Sequence, residues 1–155
     1  MDRFENEPTI IPTTVEHIRL LVANMRDDDL QEARDDGVTP FKGVWRSYRS
    51  SEFCHSCFIG DRIMAIGGIN GSVLGFVGRP WLITSKVADE YPLVFAMLYR
   101  RETHKMLKQY RVLERYVGIR YVKTIKLMKI IGFKERETVP AKSGMFVRLE
   151  MEASA

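Results

Sequence analysis

Two apolar runs, residues 52–59 and 62–69, face each other across the turn pair Gly60-Asp61. That pattern predicts a tight antiparallel hairpin. It commits the middle of the chain to a sheet, and every other segment must then cover or extend that sheet. Gly67 and Gly68 interrupt the second run, which predicts a bulge or a close approach by another backbone or a ligand.

Helical periodicity flanks the hairpin. Val15, Ile18, Leu21, Val22 and Met25 form one apolar stripe. The stripe follows Thr13-Thr14-Val15-Glu16, a capping-box pattern in which Glu16 reaches back. Residues 28–35 predict a short second helix that stops at Gly37. Its acidic start, Asp27-Asp28-Asp29, suits the helix dipole. Residues 38–50 fit either a strand or a short helix. Residues 73–77 and 81–84 read as strands separated by Gly78-Arg79-Pro80. Pro92 opens an amphipathic helix that ends near Tyr110, and residues 112–119 read as a strand. Residues 121–131 form a further helix stopped by Gly132, and residues 133–138 and 145–151 are two final strands. The order predicts an α+β (mixed α/β) fold: a central, mostly antiparallel sheet flanked by about four helices. At 155 residues the chain is expected to be one domain, 1–155, with residues 1–12 as an N-terminal arm able to pair as an edge strand.

Hydrophobic residues are 45% of the chain and charged residues 28%, which excludes a mostly disordered chain. Apolar runs such as residues 93–98 are too short for a bilayer, and Met1-Asp2-Arg3-Phe4-Glu5 has no apolar signal core. Membrane contact is therefore not expected. Cys54 and Cys57 have no second ligand pair, so no metal site is expected. They read as two thiols in a reducing compartment, with a redox pair as the alternative. Tyr48, Phe53, Phe58, Phe76, Trp81, Phe95 and Phe133 are assigned to the core, and Trp45 to the core or to an interface.

The run Tyr121-Val122-Lys123-Thr124-Ile125-Lys126-Leu127-Met128-Lys129-Ile130-Ile131-Gly132-Phe133 resembles a helix of the GNAT (Gcn5-related N-acetyltransferase) fold. That helix reads Asn-x-x-Ala-x-x-Leu-Tyr-x-x-Leu-Gly-Phe. Leu127 and the Gly132-Phe133 ending match it. A second resemblance rests on Ile63-Met64-Ala65-Ile66-Gly67-Gly68, Trp81-Leu82-Ile83-Thr84-Ser85, Met106-Leu107-Lys108-Gln109-Tyr110 and Phe133 after Lys129-Ile130-Ile131-Gly132. Over roughly residues 14–138 these resemble the internal virion protein A family of short-tailed phages. That resemblance implies a GNAT-like fold and a role as a virion component or assembly factor. The implied partners are other phage structural proteins of the portal, core or tail, and an oligomer is compatible with that role. The implied locations are the host cytoplasm during infection or the virion.

Acetyl transfer on this fold implies a glycine-rich loop whose backbone N–H groups take the diphosphate of acetyl-CoA. The corresponding segment, residues 85–91, has no glycine and carries Asp89 and Glu90. Ile83, Thr84, Ser85 and Lys86 are the candidates for cofactor contact. The position of the family's proton-donating tyrosine is Met128, which cannot transfer a proton. Tyr121 is a substitute acid, about two helical turns away. Glu52 and Glu114 are candidate bases, each also readable as a solvated strand residue. The expectation is therefore a protein without acetyl transfer and without a cofactor. A divergent acetyl-CoA-dependent N-acetyltransferase is the alternative, with CoA between strands that part near Gly67-Gly68.

Charge is uneven. Residues 1–41 carry a net −6 and residues 100–136 a net +9. Arg100, Arg101, Lys105 and Lys108 share much of one helix face, and Lys123, Lys126 and Lys129 part of the next. These are solvated faces, or a surface for an acidic partner or for sequence-independent DNA contact.

Overall fold

A computed structural model describes residues 7–71, 74–142 and 144–154. The chain runs β1 (Pro8–Pro12), α1 (Val15–Ala23), α2 (Asp27–Asp35), α3 (Pro40–Ser50), β2 (Phe53–Ile59), β3 (Arg62–Gly71), β4 (Val77–Thr84) and α4 (Val87–Glu90). It continues through α5 (Pro92–Met106), β5 (Val112–Gly118), α6 (Val122–Ile131), β6 (Lys134–Ala141) and β7 (Gly144–Glu152). The strands form one sheet in the order β1-β2-β3-β4-β5-β7-β6. The β1–β2, β2–β3, β5–β7 and β6–β7 pairs are antiparallel, and β4–β5 is parallel. The fold is mixed α+β, with six helices among the described residues. The two beyond the expected four are α3 and the one-turn α4.

β4 crosses Gly78-Arg79-Pro80 without a break, where two strands had been expected. Pro80 fits because of the side its nitrogen faces. The Val112 N–H donates to the Phe76 carbonyl at 3.0 Å, so even-numbered residues of β4 turn their peptide groups toward β5. The next bond in the parallel pattern would run from residue 80 to the Glu114 carbonyl. Proline has no N–H to give, and the register stops at Val77↔Val112 and Gly78↔Leu113. Strand pairing therefore ends after Gly78, and not at Gly67-Gly68, where β2 and β3 stay in register. The irregularity in that hairpin lies at Cys57/Phe58. Leu74–Phe76 precede the strand as a turn, and Val73 lies outside the described residues.

The chain forms two compact units, one from the residues up to Ile69 with Trp81–Pro92, the other from Asn70–Pro80 with Leu93 onward. In the first, Ile18, Leu21, Met25, Val44, Ile63 and Ile66 form the core, with Phe41, Trp45, Tyr48, Phe58 and Trp81 packed against it. The helix α1 starts at Val15, so the capping-box partner of Thr14 is His17 and not Glu16. Thr39 accepts from the Lys42 N–H and Pro40 occupies the first turn, which starts α3. Residues 8–12 pair with β2 as an edge strand. Gly68 is pinned: a Cβ there would lie 2.8 Å from both the Phe53 carbonyl and Trp81 Nε1. That close approach explains the glycine.

In the second unit Leu98, Leu113, Val117, Met128, Ile131, Phe133, Val147, Leu149 and Met151 are buried. Phe76, expected in the core, is 48% exposed, with the Arg111 guanidinium over its ring. An ion-pair network occupies β5, β6 and β7. Arg148 donates to both oxygens of Glu137, at 2.7 and 3.2 Å, and also pairs with Glu150 and Glu114. Arg136 adds a second cation to Glu150.

These contacts make two predictions, both read as urea unfolding midpoints. Gly68→Ala overpacks a closed site and lowers stability by about 2 kcal/mol. Gly43→Ala lies within α3 with nothing within 4 Å of a new Cβ, and raises stability by about 0.5–1 kcal/mol. A third prediction concerns pH. Hydrogen bonds from Arg148 hold the Glu137 and Glu150 carboxyls below the ordinary value of 4.5. Their contribution is complete above that pH and is lost as pH falls through the lowered folded values. Arg148→Ala therefore flattens the acid limb of stability against pH, and its deficit shrinks in acid; parallel curves would contradict this.

Candidate functional site

The corner after β4, residues 85–91, takes the place of the glycine-rich phosphate loop. Ser85 is fully buried there. Its hydroxyl donates to the Ile63 carbonyl at 2.6 Å and accepts from the Val87 N–H at 3.1 Å. The Ser85 N–H donates to Met64 O and the Lys86 N–H to Asn24 O, each at 2.9 Å. The Ala88 N–H donates to Ser85 O and the Asp89 N–H to Lys86 O, at 3.1 and 3.2 Å. All five backbone donors from Ser85 to Asp89 thus have acceptors inside the protein. The Tyr91 N–H donates to Ala88 O, and Pro92 has none.

The side chains at this corner are similarly committed. Arg26 pairs with Asp89 at 3.3 Å and donates to Thr84 Oγ1 at 3.4 Å. Thr84 donates in turn to Asp29 at 3.5 Å. Arg62 pairs with Glu90. Of the four cofactor candidates, Ile83 packs on the first unit's core, Thr84 and Ser85 are buried, and only Lys86 is exposed. These residues do not fit a backbone cradle for a diphosphate.

The candidate acids and bases are not gathered together. Glu52 is exposed at the entrance to β2, its N–H bonded to Ile69 O at 2.9 Å. Glu114 has Arg79 at 3.2 Å and Arg148 at 3.6 Å, two guanidiniums that occupy the carboxylate a base would use. Tyr121 caps the start of α6, three residues beyond β5. Its hydroxyl accepts from Arg120 at 2.8 Å, and the same guanidinium lies 4.9 Å from the ring centre. From Glu114 to the end of β5 is about 13 Å of extended chain, so the strand holds Glu114 and Tyr121 apart. Met128 is fully buried. Its place in the core explains why an apolar side chain stands there.

The basic positions are on the surface. Arg100, Arg101, Lys105, Lys108, Lys123, Lys126 and Lys129 are all exposed. Arg101 and Lys105 share Glu102, and Lys129 pairs with Glu135. Part of the positive charge is thus locally neutralised.

One cluster resembles a nucleophile and base: Ser56 Oγ lies 3.0 Å from His17 Nδ1 and 2.8 Å from Thr13 Oγ1. The same nitrogen accepts the Thr14 N–H at 3.2 Å, and Ser56 is fully buried. The cluster therefore caps α1 and ties it to β2. Neither cysteine is in a disulfide, and burial pushes the Cys54 thiol up, away from the reactive thiolate. Among the described residues no group of three or more His, Cys, Asp or Glu could hold a metal ion, and no helix is long and apolar enough to cross a membrane.

No family model matches the chain, and no curated protein matches its sequence. Solved structures do match it. A chimera of the spermidine N-acetyltransferase SpeG from Vibrio cholerae with hSSAT superposes with a TM-score of 0.74 at 10% identity, covering 94% of this chain and 95% of that one. AAC(6')-Ib, in complex with ribostamycin and coenzyme A, gives 0.73 at 11% identity over 95% and 94%. An acetyltransferase of the GNAT family from Streptococcus pneumoniae gives 0.67 at 15% identity over 96% and 100%. The expectation of a phage virion component or assembly factor without acetyl transfer is corrected here: the solved structures that share this architecture include several N-acetyltransferases, and none of those named is a virion protein. The chain has the GNAT fold over nearly its whole length.

Proposed function

We propose that this protein is a divergent N-acetyltransferase that moves an acetyl group from a thioester to an amine. The observation that carries the proposal is the match to N-acetyltransferase folds over 94% and 95% of the chain. Fold alone does not fix function, so the local chemistry matters. The β4–β5 register stops at Gly78↔Leu113, and Pro80 has no N–H with which to extend it, so β4 keeps a strand edge beyond Gly78. An unpaired strand edge offers peptide groups to an extended, amide-bearing ligand, and the pantetheine arm of an acyl donor is such a ligand.

In the transfer the amine nitrogen attacks the thioester carbonyl, a C–N bond forms and the C–S bond breaks. The departing sulfur takes a proton and the new amide loses one to solvent. Tyr121 is the proton donor in this proposal. It stands at the carboxyl end of β5, where parallel strands present ligands, and Arg120 fixes its hydroxyl. Glu114 is given no role in this proposal, because Arg79 and Arg148 hold its carboxylate. One fold relative is a spermidine N-acetyltransferase and another is complexed with ribostamycin, so spermidine and ribostamycin are the first acceptors to test.

Purified protein incubated with an acetyl thioester and a panel of such amines should yield acetylated product, detected by mass spectrometry. Tyr121→Phe should lower kcat by about 100-fold, with KM and the melting temperature little changed. Absence of product from every amine would contradict the proposal.

A further inference from the structure

We infer that the acyl donor is recognised through its thioester arm, with its diphosphate making little contribution. The inference rests on the acetyltransferase proposal and deepens it by naming what the donor must carry. A diphosphate held at a strand-to-helix corner takes hydrogen bonds from free backbone N–H groups. Here Ser85, Lys86, Val87, Ala88 and Asp89 have given theirs to Met64 O, Asn24 O, Ser85 Oγ, Ser85 O and Lys86 O. Ser85 is the keystone of this closure. Its hydroxyl bridges Ile63 O on β3 and the Val87 N–H, and its backbone forms an isolated bridge with Met25.

Charge acts in the same direction. Asp89 and Glu90 present carboxylates at the corner, and the nearest arginines, Arg26 and Arg62, are paired with them. A phosphate would have to break those pairs or sit beside two anions. Opening the corner would also unseat a fully buried serine. Two or three charge-assisted bonds to a diphosphate would be worth on the order of 100-fold in affinity. A donor lacking those bonds gains nothing from its nucleotide end. The donor class is thus an acyl-pantetheine thioester, whether free or as the arm of coenzyme A.

The test compares acetyl-CoA with S-acetylpantetheine as donors to one amine, using the intact protein. The ratio of their kcat/KM values should be below about ten. A preference for acetyl-CoA of ten-fold or more would overturn the inference and leave the acetyltransferase proposal standing. Product from neither donor would overturn both. Lys86→Ala separates a side-chain contact from the backbone cradle. It should change the two kcat/KM values alike; a ten-fold loss confined to acetyl-CoA would also overturn the inference, by showing that Lys86 holds the diphosphate.

Discussion

Pro80 lacks one hydrogen, and much of the proposed chemistry follows from that. The even-numbered peptide groups of β4 face β5, so the missing N–H falls where the third registered pair of the parallel ladder would form. An unmade ladder bond in mid-sheet normally weakens a strand. Here it ends one pairing after two residues, while β4 itself continues to Thr84. Past Gly78 the even-numbered peptide groups of β4 form a strand edge. Edges are liabilities when exposed, and useful when a ligand completes them.

A second constraint works against the first. The corner that follows β4 has used its own donors, and Ser85 holds it shut from inside the core. In the proposed reaction the two features would divide the donor molecule between them. An extended arm with amides suits the β4 edge, whereas a diphosphate finds no free N–H between Ser85 and Asp89. Glu114, beside the point where pairing stops, is neutralised by Arg79 and Arg148 and serves the sheet.

The sequence carried the architecture well and the chemistry poorly, for identifiable reasons. The hairpin at Gly60-Asp61, the stripe of α1 and the Gly132 stop are local signals, and local signals survive divergence. Residues 38–50 fitted either a strand or a helix because Trp45 and Tyr48 suit both; the Thr39 cap and Pro40 start the helix there. Pro80 read as a strand breaker because the side its nitrogen faces depends on register, which is a tertiary property. Gly68 suggested a bulge or a close approach; the close approach is made by the Phe53 carbonyl and Trp81. The missing glycines after β4 were visible, yet the internal bonding that closes the corner required coordinates. The assignment to a virion came from short matched phrases, which carry less weight than a fold match over the whole chain.

The most direct measurement of donor placement is an amide chemical-shift titration of isotope-labelled protein with a non-reactive pantetheine thioether. Shifts concentrated at Leu82, on the even-numbered side of β4 beyond the last registered pair, with Ser85 to Asp89 unmoved, are the predicted result. Shifts centred on Ser85 to Asp89, or no shifts at saturating ligand, would contradict the account.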